Sequence, residues 1–287
     1  MTINNALKAY LLLIPGLLPI VAFMSLVVGM AVSQSIGFFN FAGDDHFSLL
    51  FWQQMLTQDQ FWRVFFYSAR IAVVSAVLSV MLAYPVALWL RRPFPGSDLI
   101  SAMIKAPILV HGLVAAFLFV NFISFQGFLN VALVHLGLIA RPIRMQNDPY
   151  GIGVVVLQVW KNMPFAFLII VGSVRAIGDD ILDAARDLGA GRLARLRRVI
   201  LPLTLRSLQA SLILIFIGTA GDYSFQAVAG PININSMSQF MLRIQMDNAA
   251  HGWNEAAVVA VMLMVLSLFG SLAVAGLMQF AVRRAGR

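Results

Sequence analysis

Long uninterrupted apolar runs, rather than alternating ones, organise this chain. Crossing a bilayer as a helix takes about 20 apolar residues. Six stretches meet that length: 10–32, 64–90, 100–122, 151–172, 205–221 and 256–282. The fifth is short, and Asp222 interrupts an apolar run that goes on to Ala229. A further apolar piece, 128–139, is too short to span and reads as an interfacial or re-entrant helix. Closed barrels are excluded because their strands alternate apolar and polar residues. No internal repeat appears, so an inverted-repeat carrier gains no support. The pattern predicts an all-α polytopic membrane protein, a single transmembrane domain over 1–287. The first run could be a signal peptide cut after Ala31-Val32-Ser33. It exceeds the roughly 7–15 residues of a signal core, so it is read as an uncleaved span.

Composition agrees. Of the 287 residues 60% are hydrophobic and 11% charged, against about 25% charged in soluble domains. With no cysteine, neither a disulfide framework nor a thiolate site is available. The net charge of +8 would suggest nucleic acid in a soluble chain; here it reads as topology. With the amino terminus in the cytoplasm, the inside holds Lys8, Arg91, Arg92, Lys105, Arg175, Arg186, Arg192, Arg195, Arg197, Arg198, Arg206, Arg283, Arg284 and Arg287. The outside holds only Arg63, Arg141, Arg144 and Arg243. Cytoplasmic loops collect Lys and Arg in this way, which places both termini in the cytoplasm.

One inside segment, 178–203, is a basic helix pair between the fourth and fifth spans. Asp179 or Asp180 is placed to cap its first helix. Ile181, Leu182, Ala185 and Leu188 follow as one apolar stripe. Gly189 suits a left-handed stop. A second helix carries Leu193, Leu196, Val199 and Ile200 on one face and arginines elsewhere, and Pro202 marks a break before the fifth span. So short a pair is not stable alone in water. Three uses suit such a pair: an anchor on anionic lipid, a DNA-binding helix pair, and a docking element for a cytoplasmic protein. A DNA reader has no room inside a membrane chain.

Asp183-Ala184-Ala185-Arg186-Asp187-Leu188-Gly189-Ala190, followed by Ile200-Leu201-Pro202, resembles the "EAA" loop of permease subunits of binding-protein-dependent ABC importers. That pattern runs Glu-Ala-Ala-x-x-x-Gly, then Ile-x-Leu-Pro. Asp183 stands for the glutamate, and the residue inside Ile-x-Leu-Pro is missing. Ala184, Ala185, Gly189 and Pro202 match. Trp160-Lys161-Asn162-Met163-Pro164-Phe165, Gly127-Phe128-Leu129-Asn130 and the Gly252-Trp253-Asn254-Glu255-Ala256-Ala257 entry to the last span are similar to the spermidine/putrescine-type branch. The resemblance implies a six-span type I importer permease in a bacterial inner membrane. Counting 128–139 as a helix, its cytoplasmic coupling helix falls between the fifth and sixth. It implies a second permease subunit, the same or homologous, two ATPase subunits and a periplasmic substrate-binding protein, with lipid around them. It assigns ATPase coupling to Asp183, Ala184, Ala185, Gly189, Ala190 and Pro202. ATP and Mg would bind in the partner ATPase and no cofactor in this chain. The residues agree, since without a Gly-Lys pair there is no phosphate-binding Walker loop.

Polar groups at membrane depth are costly and therefore functional suspects. Lys161, with Trp160, Asn162 and Gln158, is either a pathway lysine facing an anionic group or a buried pair partner. Asp222, beside Tyr223, either meets a cation near an external gate or simply ends a helix. Asn121 and Gln126 are weaker pathway candidates. Arg70 is expected to pair with an acid or to reach outward, and Lys105 to reach the inner surface. His111, His135 and His251 lack ligand spacing, so no metal is expected. No nucleophile–base–acid constellation appears, so no enzyme is expected. Two functions remain: an importer permease for a small organic solute, polyamines among the options, or a stand-alone carrier or channel whose basic loop grips lipid.

Overall fold

A computed structural model describes residues 2–39, 45–143, 145, 147–247 and 251–285. Arg144 and Arg287, counted above, lie outside the described residues, as do the side chains of Lys8, Arg283 and Arg284. The described residues are helical and contain no strand. Six apolar helical stretches among them are long enough to cross a membrane.

The chain divides into two compact units: Met1–Trp62 with Phe240–Met262, and Arg63–Gln239 with Leu263–Arg287. In the first, α1 (Thr2–Ser35) precedes a short α2 (Leu50–Leu56). From 12 to 30 every residue of α1 is exposed. Its carboxyl end is held: the indole of Trp52 donates to Ser35 Oγ at 3.3 Å, and Asn254 Nδ2 donates to the Gln34 carbonyl at 2.8 Å. Helix α12 (Met237–Asp247) from Phe240 onward, and α13 (Gly252–Ala285) as far as Met262, belong to this unit.

The second unit is built on α3 (Asp59–Trp89), α7 (Ile152–Arg175) and α10 (Leu201–Ala220). On α3, Ala72, Ala76, Val80, Ala83 and Ala87 form one buried stripe, which packs with Phe167, Ile170 and Val174 of α7 and Leu208, Ile215 and Phe216 of α10. Lipid tails are as apolar as side chains, so such helices associate by close packing, and small residues permit it. A second cluster joins Tyr67 and Ile71 to Val154 and Leu157, Ala115 and Ala116, and Phe225 and Ala229 of α11 (Ser224–Ala229).

The apolar run 100–122 is not one helix. It forms α4 (Ser97–Leu109) and α5 (Gly112–Ile123), parted at an extended Val110 with φ −82° and ψ 125°. At about 1.5 Å per residue neither half alone crosses the roughly 30 Å apolar core. The third membrane-length stretch is Gly112–His135, shifted from the expected 100–122 because the chain breaks at Val110. A short α6 (Phe128–His135) follows. It is not the separate interfacial or re-entrant piece expected over 128–139, but continues the membrane-length stretch that begins at Gly112. Buried Asn130 ties it down, donating to the Ser124 and Ile143 carbonyls at 2.9 Å and accepting from the Ile143 amide at 3.0 Å. Helix α7 starts where Asp148 accepts the amides of Ile152 at 2.6 Å and Gly153 at 2.9 Å.

Candidate functional site

The 178–203 segment forms α8 (Asp179–Asp187), α9 (Arg192–Arg195) and a π-turn over Leu196–Ile200 that leads straight into α10. The cap of α8 is Gly178, with no side-chain bond, so neither expected aspartate caps it. Asp179 lies in the first turn, where its charge still favours the helix, but its Oδ1 accepts from Arg91 at 2.9 Å and Arg92 at 3.1 Å. The hydrogen bond from Arg92, with Arg91 beside it, holds this carboxyl below the usual carboxylate range. Arg91 also donates to the Ile177 carbonyl at 2.7 Å, and Arg175 to the Leu90 carbonyl at 3.0 Å. The end of α3 is thus cross-tied to the end of α7.

Helix α8 stops at a Schellman turn. Gly189 has φ +81°, its amide bonds the Arg186 carbonyl at 2.8 Å, and the Ala190 amide bonds the Ala185 carbonyl at 3.0 Å. The expected single stripe is split. Leu182 is buried, while Leu188 is 89% exposed and Ile181 49%. Asp183 and Ala184 are exposed and Ala185 half-buried.

Pro202 makes no break. The Leu201 amide bonds the Leu196 carbonyl, five residues back. This widened turn makes room for a proline ring that would clash with the carbonyl four residues earlier in a regular helix. Thr204 Oγ1 donates to the Ile200 carbonyl at 2.9 Å and to the Leu201 carbonyl at 3.2 Å. The second loop helix and the fifth span are one rod.

The membrane-depth candidates only partly converge. Gln158 is buried and accepts from Asn162 Nδ2 at 2.8 Å. Its Nε2 makes no hydrogen bond, yet its amide lies near enough to act on the Asp222 carboxylate. Asp222 accepts from the Phe225 amide at 3.0 Å and so starts α11. Beside it, buried Tyr67 donates to Gln226 Oε1 at 2.9 Å. Sequence reasoning missed this pair; Gln226 alone carried a signal, as a polar residue within the apolar run after Asp222. Trp160 and Tyr223 are exposed, as is Asn121 on α5, and among the described residues no side-chain hydrogen bond joins them to the group.

Lys161 points elsewhere. Its ammonium donates to the carbonyls of Pro107 at 2.8 Å, Ile108 at 3.1 Å and Val110. Those are groups orphaned where α4 ends. Arg70 does not pair with an acid: it donates to the Tyr150 carbonyl at 2.6 Å and lies 5.6 Å from the centre of the Tyr67 ring.

Residues 80–286 match the family described as binding-protein-dependent transport system inner membrane component. The spermidine/putrescine transport system permease protein PotB of Escherichia coli (strain K12) is 27% identical over 228 residues, covering 79% of this chain and 78% of that protein. The thiamine transport system permease protein ThiP of Brucella abortus (strain 2308) is 34% identical over 159 residues, 54% of this chain and 28% of its own. Among solved structures, a bacterial alginate ABC transporter in complex with alginate pentasaccharide-bound periplasmic protein superposes with TM-score 0.73 and 16% identity, over 95% of this chain and 94% of that one. A MetNI methionine ABC transporter in an inward-facing conformation gives 0.56 and 17%, over 79% and 97%. At those identities the likeness is one of fold.

Proposed function

Since this chain belongs to the family of inner membrane components of binding-protein-dependent transport systems, as a permease subunit of a type I ABC importer, we propose that its 183–202 loop couples it to a separate ATPase. The carrying observation is the split stripe of α8. Leu182 anchors the helix to its own chain, while Leu188 is 89% exposed and Ile181 49%. An apolar edge on a short helix needs a groove to dock into. Asp183, Ala184, Ala185, Gly189 and Ala190 form the docking turn, and Pro202 sits in the rod that carries its movement to the fifth span. ATP and Mg bind in the ATPase subunits. A second permease subunit completes the pathway, an external binding protein delivers the solute, and the loop and both termini face the cytoplasm.

The solute is a small organic molecule. An acid flanked by neutral amides, as Asp222 is by Gln158 with Asn162 beyond it, suits a protonated amine. That is the chemistry named in the spermidine/putrescine relatives.

Copurification of the ATPase in detergent tests the coupling. Leu188→Asp, Gly189→Val and Ala185→Trp should insert normally and either release the ATPase or uncouple hydrolysis from transport. Arg195→Ala should be mild. Wild-type behaviour of the first three would overturn the coupling role. A loop that only grips lipid predicts the opposite order, with the arginine mattering most.

A further inference from the structure

At the root of α8 the second unit has an open cleft of about 310 Å³ lined by Arg91, Arg92, Arg192 and Arg195, with Leu88 and Leu182 among its apolar walls. The charges in it are unbalanced. Asp179 bonds Arg91 and Arg92. Among the described residues no carboxylate pairs with Arg192 or Arg195, and Asp180, Asp183 and Asp187 of α8 form no ion pair with them. Arg195 Nε is buried and has no hydrogen-bond acceptor. A buried donor left in that state is costly, and an Nε–H of a half-buried arginine at the wall of this cleft calls for an acceptor.

We infer that this cleft is a binding site for a phosphate group, held by Arg192 and Arg195 and supplied by an anionic phospholipid. The planar guanidinium fork matches phosphate oxygens. The leucine walls suit the apolar part of a lipid better than they suit a fully hydrated ion. Position agrees: Leu88 lies in the last turn of α3 and Arg91 stands two residues beyond its end, where a span leaves the apolar core and meets lipid headgroups. Neither Ile181 nor Leu188 of the exposed α8 edge lines the cleft, so the site does not depend on whether that edge docks to an ATPase.

The test uses the full-length chain purified with its partner subunits, stripped of lipid and offered phosphatidylglycerol or phosphatidylcholine. Native mass spectrometry then reads retention. Wild type should hold one phosphatidylglycerol at concentrations where phosphatidylcholine is lost. Arg192→Gln with Arg195→Gln should weaken that retention about tenfold or more. Arg195→Lys should keep much of it, and Arg243→Gln, in the other unit, all of it. Unchanged melting of the double variant separates loss of the site from loss of the fold. Inorganic phosphate is the second arm, followed by phosphorus NMR. Binding of phosphate that needs Arg195, without lipid retention, identifies the free ion as the source. Equal lipid retention in wild type and double variant, with no response to phosphate, overturns the site.

Discussion

The ammonium of Lys161 lies 2.8 Å from the carbonyl oxygen of Pro107, so a side chain of α7 closes the broken end of α4. One lysine has three donors, and here they reach three carbonyls. Its positive charge also meets the negative end of the α4 dipole.

Lys161→Met should therefore destabilise the subunit by about 1.5–3 kcal/mol, the range for hydrogen bonds to a charged group. Thermal unfolding in detergent measures it. Normal stability with reduced uptake would instead make Lys161 a pathway residue, and normal values of both would remove each role.

Tyr67→Phe should cost about 1–3 kcal/mol, because it leaves the buried Gln226 Oε1 without its donor. The same assay checks it. Tyr67→Phe together with Gln226→Leu should recover part of the loss, since removing both partners spares the unsatisfied acceptor.

Gly189→Val should cost about 1–2 kcal/mol at the turn, because a Cβ disfavours the left-handed region. Nothing lies within 4 Å of where that Cβ would stand, so the cost is backbone strain and not a clash. Gly189→Asn should be milder. Amide exchange at Gly189 and Ala190, whose N–H groups close the turn, reads the difference.

For Asp179 the expected dependence is on acid. A carboxyl held low in the folded chain contributes its stabilisation above the unfolded-state value, about 3.9, and loses it as pH falls through the folded value. Amide protection of α8 should thus be flat from about pH 5 to about pH 8 and decline only below about 4. Asp179→Asn should show the acid behaviour already at pH 7. A midpoint near neutrality would show that another group ties α8 down.

Topology is directly accessible because the chain lacks cysteine. Cysteines at Asp45 and Asn147 should label from outside the cell, and cysteines at Ser97 and Gly191 only from inside. Labelling of Gly191 from outside would reverse the orientation.

That the chain holds six membrane-length stretches was legible because a bilayer imposes length and apolarity on contiguous residues, though the third lies at Gly112–His135 and not at 100–122. Gly189 was legible because a left-handed stop favours one residue type. What stayed hidden depends on groups distant in the chain. Residues 100–122 are apolar through the break at Val110, and what stabilises that break is a lysine from the next long helix. Asp179 has the signature of a cap, yet Arg91 and Arg92 take its carboxylate. Pro202 read as a stop because local rules do not foresee that the preceding turn widens to admit it.

The π-turn over Leu196–Ile200 also sets an angle. It holds one residue more than a regular helix would over the same rise, and each residue of a helix turns the axis by about 100°. Deleting one residue there would swing Arg192 and Arg195 about a quarter-turn round the rod while leaving α10 seated against α3 and α7. The azimuth at which the fifth span presents its loop is thus stored in a single surplus residue, as a gear tooth stores phase.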